Sequence, residues 1–134
     1  MSLQMKFILP LTILVVVVVG VIGAIYWHFN QPMFDCRDTI LLENVSPDKK
    51  WILTAFIRDC GATTDYSTII SIREQGKWFD SKRDPILFVV SGKEQLNIKW
   101  ENERRVVIEH QLGRIFRQET KWNNLQVTYR LGKN

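Results

Sequence analysis

Two hydrophobic rhythms divide the chain. From Phe7 to Asn30 it reads FILPLTILVVVVVGVIGAIYWHFN, with no Asp, Glu, Lys or Arg, and beyond Asp38 apolar and polar residues alternate with a period of two. At about 1.5 Å per helical residue, roughly 20 of the apolar residues span a hydrocarbon core. This predicts a transmembrane helix over residues 7–29, preceded by a cytoplasmic N-terminus of residues 1–6. Pro10 is expected in the first turn, where a missing N–H costs little, and Tyr26 and Trp27 at the headgroup level. A cleaved secretory signal is the rival reading. The stretch is longer than the roughly 7 to 15 residues of a signal's apolar region, and Val21-Ile22-Gly23 is the only faint cleavage candidate. Residues 30–37, with Pro32, form a short tether, and residues 38–134 make one domain.

Within that domain the alternation predicts strands. Leu125, Val127, Tyr129 and Leu131 form one inward set, Leu96, Ile98 and Trp100 a second. Tyr66, Thr68, Ile70 and Ile72 form a third, and Trp51, Leu53, Ala55 and Ile57 a fourth. Ile86 to Val90 is apolar throughout, as in a strand covered on both faces. Turn signals separate these runs at Ser46-Pro47-Asp48, Gly61, Gly76, Asp84-Pro85, Ser91-Gly92, Asn102, Gly113 and Asn123-Asn124. No window shows a sustained helical stripe. The fold class is therefore all-β: a single antiparallel sandwich or strongly bent sheet of about eight strands after one membrane helix.

Lys-Trp occurs four times, at Trp51, Trp78, Trp100 and Trp122, with intervals of 27, 22 and 22 residues. Propeller blades take about 40 residues or more, so the dipeptide reads as a local device, an indole turned inward beside a solvated lysine. An exposed tryptophan row for sugar or peptide binding is the alternative.

Charge and cysteines add an address. The residues from Gln31 onward carry a net charge of +3 with both signs interspersed, which is not the clustered basic face of a nucleic-acid binder. Only the amino terminus and Lys6 precede the helix, and Arg37 follows it between Asp35 and Asp38. The N-terminus is thus expected inside and the domain outside. Cys36 and Cys60 are the only cysteines, the count for one disulfide in an oxidising compartment. Closing a loop of about 25 residues would stabilise the domain by roughly 3.5 kcal/mol in the chain-entropy model.

Candidate chemistry concentrates in RDCGATTDYST, Arg58 to Thr68. Cys60, Thr63, Thr64 or Ser67 would need a positioned base to act as a nucleophile, and His110 is the only candidate, on a predicted strand end. Metal binding lacks ligands: two histidines, two cysteines better paired with each other, and no calcium-loop pattern around Asp59 and Asp65. No cofactor motif is present. The same stretch reads well as a hairpin connection, with Gly61 at positive φ and Thr63, Thr64 and Asp65 bonding their own backbone. A disulfide would gather Asp35, Arg37, Asp38, Arg58 and Asp59 into an ion-pair cluster at the membrane-proximal end. Asp59, Thr63, Thr64, Asp65 and Tyr66 form the candidate interaction loop.

ENVSPDKKWILTAFIRDCGATTDYSTIISI, Glu43 to Ile72, resembles the signature region of small uncharacterised bacterial envelope proteins that pair an S-P-D-x-K turn with a D-C-G-A-T-T segment, with a looser echo in Asn97 to Ile108. The resemblance implies a bacterial origin and a membrane or secretory address, and no activity. Many such proteins carry Gly after S-P-D, where this chain has Lys49. The expectation is a single-pass inner-membrane protein, anchored in the bilayer through residues 7–29, with a periplasmic β domain that is not an enzyme. It acts as an interaction module on another envelope protein, either as an accessory subunit or as immunity against an envelope-acting toxin. The alternative is a small-ligand-binding or hydrolytic domain using Asp59 to Ser67.

Overall fold

The computed structural model describes residues 3–30 and 36–133, and the chain separates into two compact units, residues 1–35 and 36–134. The predicted tether at residues 31–35, Asp35 included, lies outside the described residues.

The first unit is a helix, α1 (Leu3–Phe29), of 27 residues. It is apolar on every face, the pattern of a membrane span rather than of a helix packed by one stripe. Leu9–Phe29 is long and apolar enough to cross a bilayer, a length and composition shared by membrane anchors and signal sequences. The helix begins earlier than the sequence pattern predicts, so Pro10 lies inside it and not in its first turn. Proline removes only its own N–H, and in an apolar segment the remaining backbone groups have no partner outside the helix.

The second unit is built of nine strands: β1 (Arg37–Val45), β2 (Trp51–Asp59), β3 (Ser67–Glu74), β4 (Ile86–Ser91), β5 (Asn97–Asn102), β6 (Arg105–His110), β7 (Ile115–Gln118), β8 (Lys121–Trp122) and β9 (Leu125–Leu131). They form a five-stranded sheet, β1-β2-β3-β4-β7, and a four-stranded sheet, β5-β6-β9-β8. Leu53, Ala55, Ile70, Ile72, Phe88 and Val90 of the first pack against Ile98, Val106, Ile108, Leu125 and Val127 of the second. This is the predicted sandwich. One pair departs from the antiparallel rule: β6 and β9 run parallel, from Arg105↔Gln126 to His110↔Leu131. The parallel pair is reached by a long crossover, in which β7 crosses to the other sheet before β8 and β9 return.

Two polar side chains tie the sheets together. Asn44 donates to the Ile98 carbonyl at 2.9 Å, and the Tyr129 hydroxyl faces the Glu119 and Leu87 carbonyls at 2.6 and 3.2 Å. Burial holds the Tyr129 hydroxyl well above its ordinary pKa, so it stays a donor.

The inward sets hold at their centres and fail at their ends. Leu53, Ala55, Ile70, Ile72, Leu125 and Val127 are buried, whereas Tyr66 precedes β3 and is exposed, Ile57 is half-buried, and Leu131 is exposed. Strand ends outrun the facing sheet and lose their cover. Burial on both faces, predicted for Ile86 to Val90, is stronger in β2 and β3, where Ile52, Thr54, Phe56, Ile69 and Ser71 are also buried. On that back face, residues 75–85 lay Phe79 against Phe56, with ring centroids 5.1 Å apart.

Candidate functional site

The predicted cysteine cluster forms in part. Cys36 and Cys60 are disulfide-bonded, across the end of β1 and β2 where Arg37 pairs with Asp59 and Asp38 with Arg58. Arg58 grips Asp38 through two bonds of 2.9 Å and donates to the Ser81 carbonyl at 3.1 Å. Burial alone would raise the Asp38 carboxyl, but the bonds and charge of Arg58, with Ser81 and Lys82, outweigh it and leave the group below its ordinary value. Arg37 is exposed, and the ion pairing predicted for it and for Asp59 is not among the contacts that define this cluster. Asp35 lies outside the described residues.

The loop that follows is a turn. Gly61 takes φ 102, its N–H donates to the Asp59 carboxylate at 3.0 Å, and the Thr64 N–H and hydroxyl reach the Gly61 carbonyl at 3.2 and 3.3 Å. Thr63, Asp65 and Tyr66 are exposed, and the Tyr66 ring lies under the Lys93 ammonium at 3.9 Å. His110, the conceivable base, is buried, packed on Phe88 at 5.2 Å with its Nδ1 2.6 Å from the Gln111 carbonyl. It belongs to β6 in the second sheet, whereas the loop joins β2 to β3 in the first. Among the described residues, no group of three or more His, Cys, Asp or Glu side chains is placed to hold a metal ion.

At the other end of β2 the surface changes character. Along a nine-residue strand at about 3.3 Å per residue, Trp51 lies roughly 30 Å from Cys60. Trp51 meets Trp122 edge to face, centroids 4.8 Å apart, and both are half-buried against the core. Two clefts are lined by this pair, one of about 620 Å³ that also reaches Asp48 and Arg104 and one of about 550 Å³ that also reaches Trp78 and Arg83. Trp51, Trp100 and Trp122 thus turn toward the core as predicted, but Trp78 is 95 % exposed. It stands in residues 75–85, which lack strand alternation and offer its indole no facing sheet.

Arg73 organises that segment. Its guanidinium is buried, donates to the Lys77 carbonyl at 3.0 Å and to Glu43 at 2.7 Å, and bonds the Thr54 hydroxyl. With Lys77 held and Phe79 packed on Phe56, Trp78 is presented between two anchored neighbours. Arg73 gave no sequence signal beyond its place opposite the inward set of β3.

A second exposed feature lies on β7, all of whose residues are exposed. Its register slips against β4 between Val89 and Val90, which pair with Arg117 and Ile115 and leave Phe116 bulged out. Phe116 is 57 % exposed and Leu112 88 %. The strip is held from behind. The buried Glu94 carboxylate accepts from the Gln111 N–H at 3.1 Å, and Gly113 leaves the room a Cβ would take from that carboxylate. Neither β7 nor β8 shows the alternation that marks the longer strands, so sequence reasoning missed both.

No curated protein and no solved structure matches the chain. A family model does match, over residues 4–124, from α1 through β8. This agrees with the resemblance to uncharacterised proteins read in Glu43 to Ile72, and the chain belongs to the family of unknown function DUF5412.

Proposed function

We propose that α1 anchors this chain as a single-pass protein of a bacterial inner membrane, N-terminus in the cytoplasm and β domain in the periplasm. The domain acts through contact with another envelope protein rather than by chemistry, as an accessory subunit of an envelope complex or as immunity against an envelope-acting toxin. The Cys36–Cys60 bridge supports the oxidising side of the membrane.

The observation that carries the partner reading is the strip of Leu112, Ile115 and Phe116, exposed together at the edge of the five-stranded sheet beside Arg114 and Arg117. Aromatic, aliphatic and arginine side chains at this density are the composition of an interface core, and burying a Leu or Phe yields about 1.5–3 kcal/mol each. The β7 edge is bulged at Phe116 and the β1 edge between Ile40 and Leu42, which blunts both against strand addition. The partner therefore meets side chains. The alternative, ligand binding or hydrolysis at Asp59 to Ser67, has less to draw on, since Asp59 and Thr64 bond within the turn and the clefts described above are lined by other residues.

A photo-crosslinking residue at position 116, activated in intact cells, is expected to trap a discrete partner, and Leu112→Asp to abolish the adduct. No adduct under any growth condition, or one unchanged by Leu112→Asp, would sink the reading.

A further inference from the structure

We propose that the tryptophan end of the β domain binds a neutral, unbranched oligosaccharide chain. This site is distinct from the Leu112–Phe116 strip and goes beyond the partner reading.

The shape argues for an extended ligand. The two clefts share Trp51, Trp122 and Asn123, so they adjoin at the tryptophan pair as two segments of one groove. Trp78 borders the second segment with its indole almost wholly in solvent. An indole face carries the negative side of the ring quadrupole, and the axial C–H face of a pyranose presents weakly positive hydrogens over a flat apolar area. Trp78 offers such a face to one sugar ring, and the adjoining clefts leave room for its neighbours in a chain.

The charges argue for a neutral one. The first segment is lined by Asp48 and Glu103 against Lys50 and Arg104, two of each sign. The second has Glu74, Asp80 and Asp84 against Arg73, Lys77 and Arg83, three of each. Several are already paired, Lys77 with Glu74 at 2.7 Å and Arg83 with Asp80 at 3.6 Å. A polyanion would meet no surplus of positive charge here, nor a polycation of negative. Carboxylate, guanidinium and amide groups do suit neighbouring hydroxyls, which both donate and accept. Asn123, held at φ 49 in the β8–β9 turn, adds an amide where the segments join, and Asn124 adds one in the first segment.

The groove is also built before a ligand arrives. Arg73 holds the Lys77 carbonyl, Asp84 accepts from the Asp80 N–H at 3.1 Å, and Asp80 accepts from the Lys82 N–H at 3.0 Å. The backbone that carries Trp78 is thus held in place, which lowers the ordering entropy that binding must overcome there.

The test uses the full chain in lipid nanodiscs, free of glycosidic detergents, titrated with cellotetraose, an N-acetylglucosamine tetrasaccharide and, as an anionic comparison, tetragalacturonate. At least one neutral probe is expected to give a saturable calorimetric isotherm and a shift in tryptophan emission, with tetragalacturonate weaker. Trp78→Ala, at a position 95 % exposed, is expected to leave the melt unchanged and to weaken that binding about tenfold or more. Leu112→Asp is expected to bind as the native chain does. Absence of a saturable isotherm for both neutral probes into the millimolar range overturns the proposal, as does native affinity in Trp78→Ala or equal affinity for tetragalacturonate. A protein adduct lost in Trp78→Ala, with no saccharide isotherm, also overturns it and leaves the Leu112–Phe116 reading standing on its own test.

Discussion

Lys49 holds φ 57, in the left-handed region that costs an L-residue roughly 1–2 kcal/mol. Ser46 to Lys49 close a turn through the Lys49 N–H on the Ser46 carbonyl at 2.9 Å. The Ser46 hydroxyl then accepts from the Lys50 and Trp51 N–H groups at 3.2 and 3.0 Å and donates to Asp48 at 2.6 Å. Lys49 thus stands, at positive φ, where many of the resembled proteins carry glycine, in a turn closed by these bonds. Lys49→Gly is expected to stabilise the domain by about 1 kcal/mol in urea unfolding, relief of strain being partly offset by glycine's freedom in the unfolded chain. A destabilised Lys49→Gly would contradict this account. Asp38 supplies a pH-dependent counterpart. Its folded pKa lies below the ordinary 3.8, so its contribution is complete above that value and fades as pH falls through the lower folded one. Asp38→Asn is expected to cost about 2 kcal/mol near neutrality, with the gap to the native chain closing as acid protonates the Asp38 carboxylate. A gap independent of pH would mean the carboxylate is not the stabilising form.

Among elements, the long strands were legible and the short ones were not. Leu125 to Val127, Leu96 to Ile98 and the centres of β2 and β3 are buried as alternation predicts, because a two-residue period has one physical cause, a sheet with one face on a core. β7 and β8 lack that cause: all four residues of β7 are exposed, and β8 has two residues, so neither imprints a rhythm. The RDCGATTDYST turn was readable because Gly61, Asp59 and Thr64 act on backbone within a few positions of themselves. Residues 75–85 were not, since what shapes them is Phe56 of β2 and an Arg73 guanidinium that is itself fixed by Thr54 and Glu43, and Phe56, Thr54 and Glu43 are all on strands distant in the chain. Hence the four Lys-Trp pairs look alike in sequence while Trp78 alone is fully exposed.

For the whole molecule, the proposed address rests on the apolar helix and the cysteine pair together and can be checked in a single preparation. In intact spheroplasts, added protease is expected to digest the β domain, and a membrane-impermeant maleimide to label Cys36 and Cys60 only after reduction. Full protection from protease, or free thiols without reductant, would contradict the proposed orientation. What the sequence by itself determined is what depends on local or compositional causes: an apolar run long enough for a bilayer, a two-residue rhythm calling for a sandwich, turn residues between strands, and a lone cysteine pair. What only the tertiary structure decided depends on which strands become neighbours. The parallel β6–β9 pair, the cover that residues 75–85 give the back of β2 and β3, and the groove around Trp51 and Trp122 all join residues far apart in the chain. Strand pairing is chosen by the global fit of two hydrophobic faces, and no short-range pattern encodes that fit.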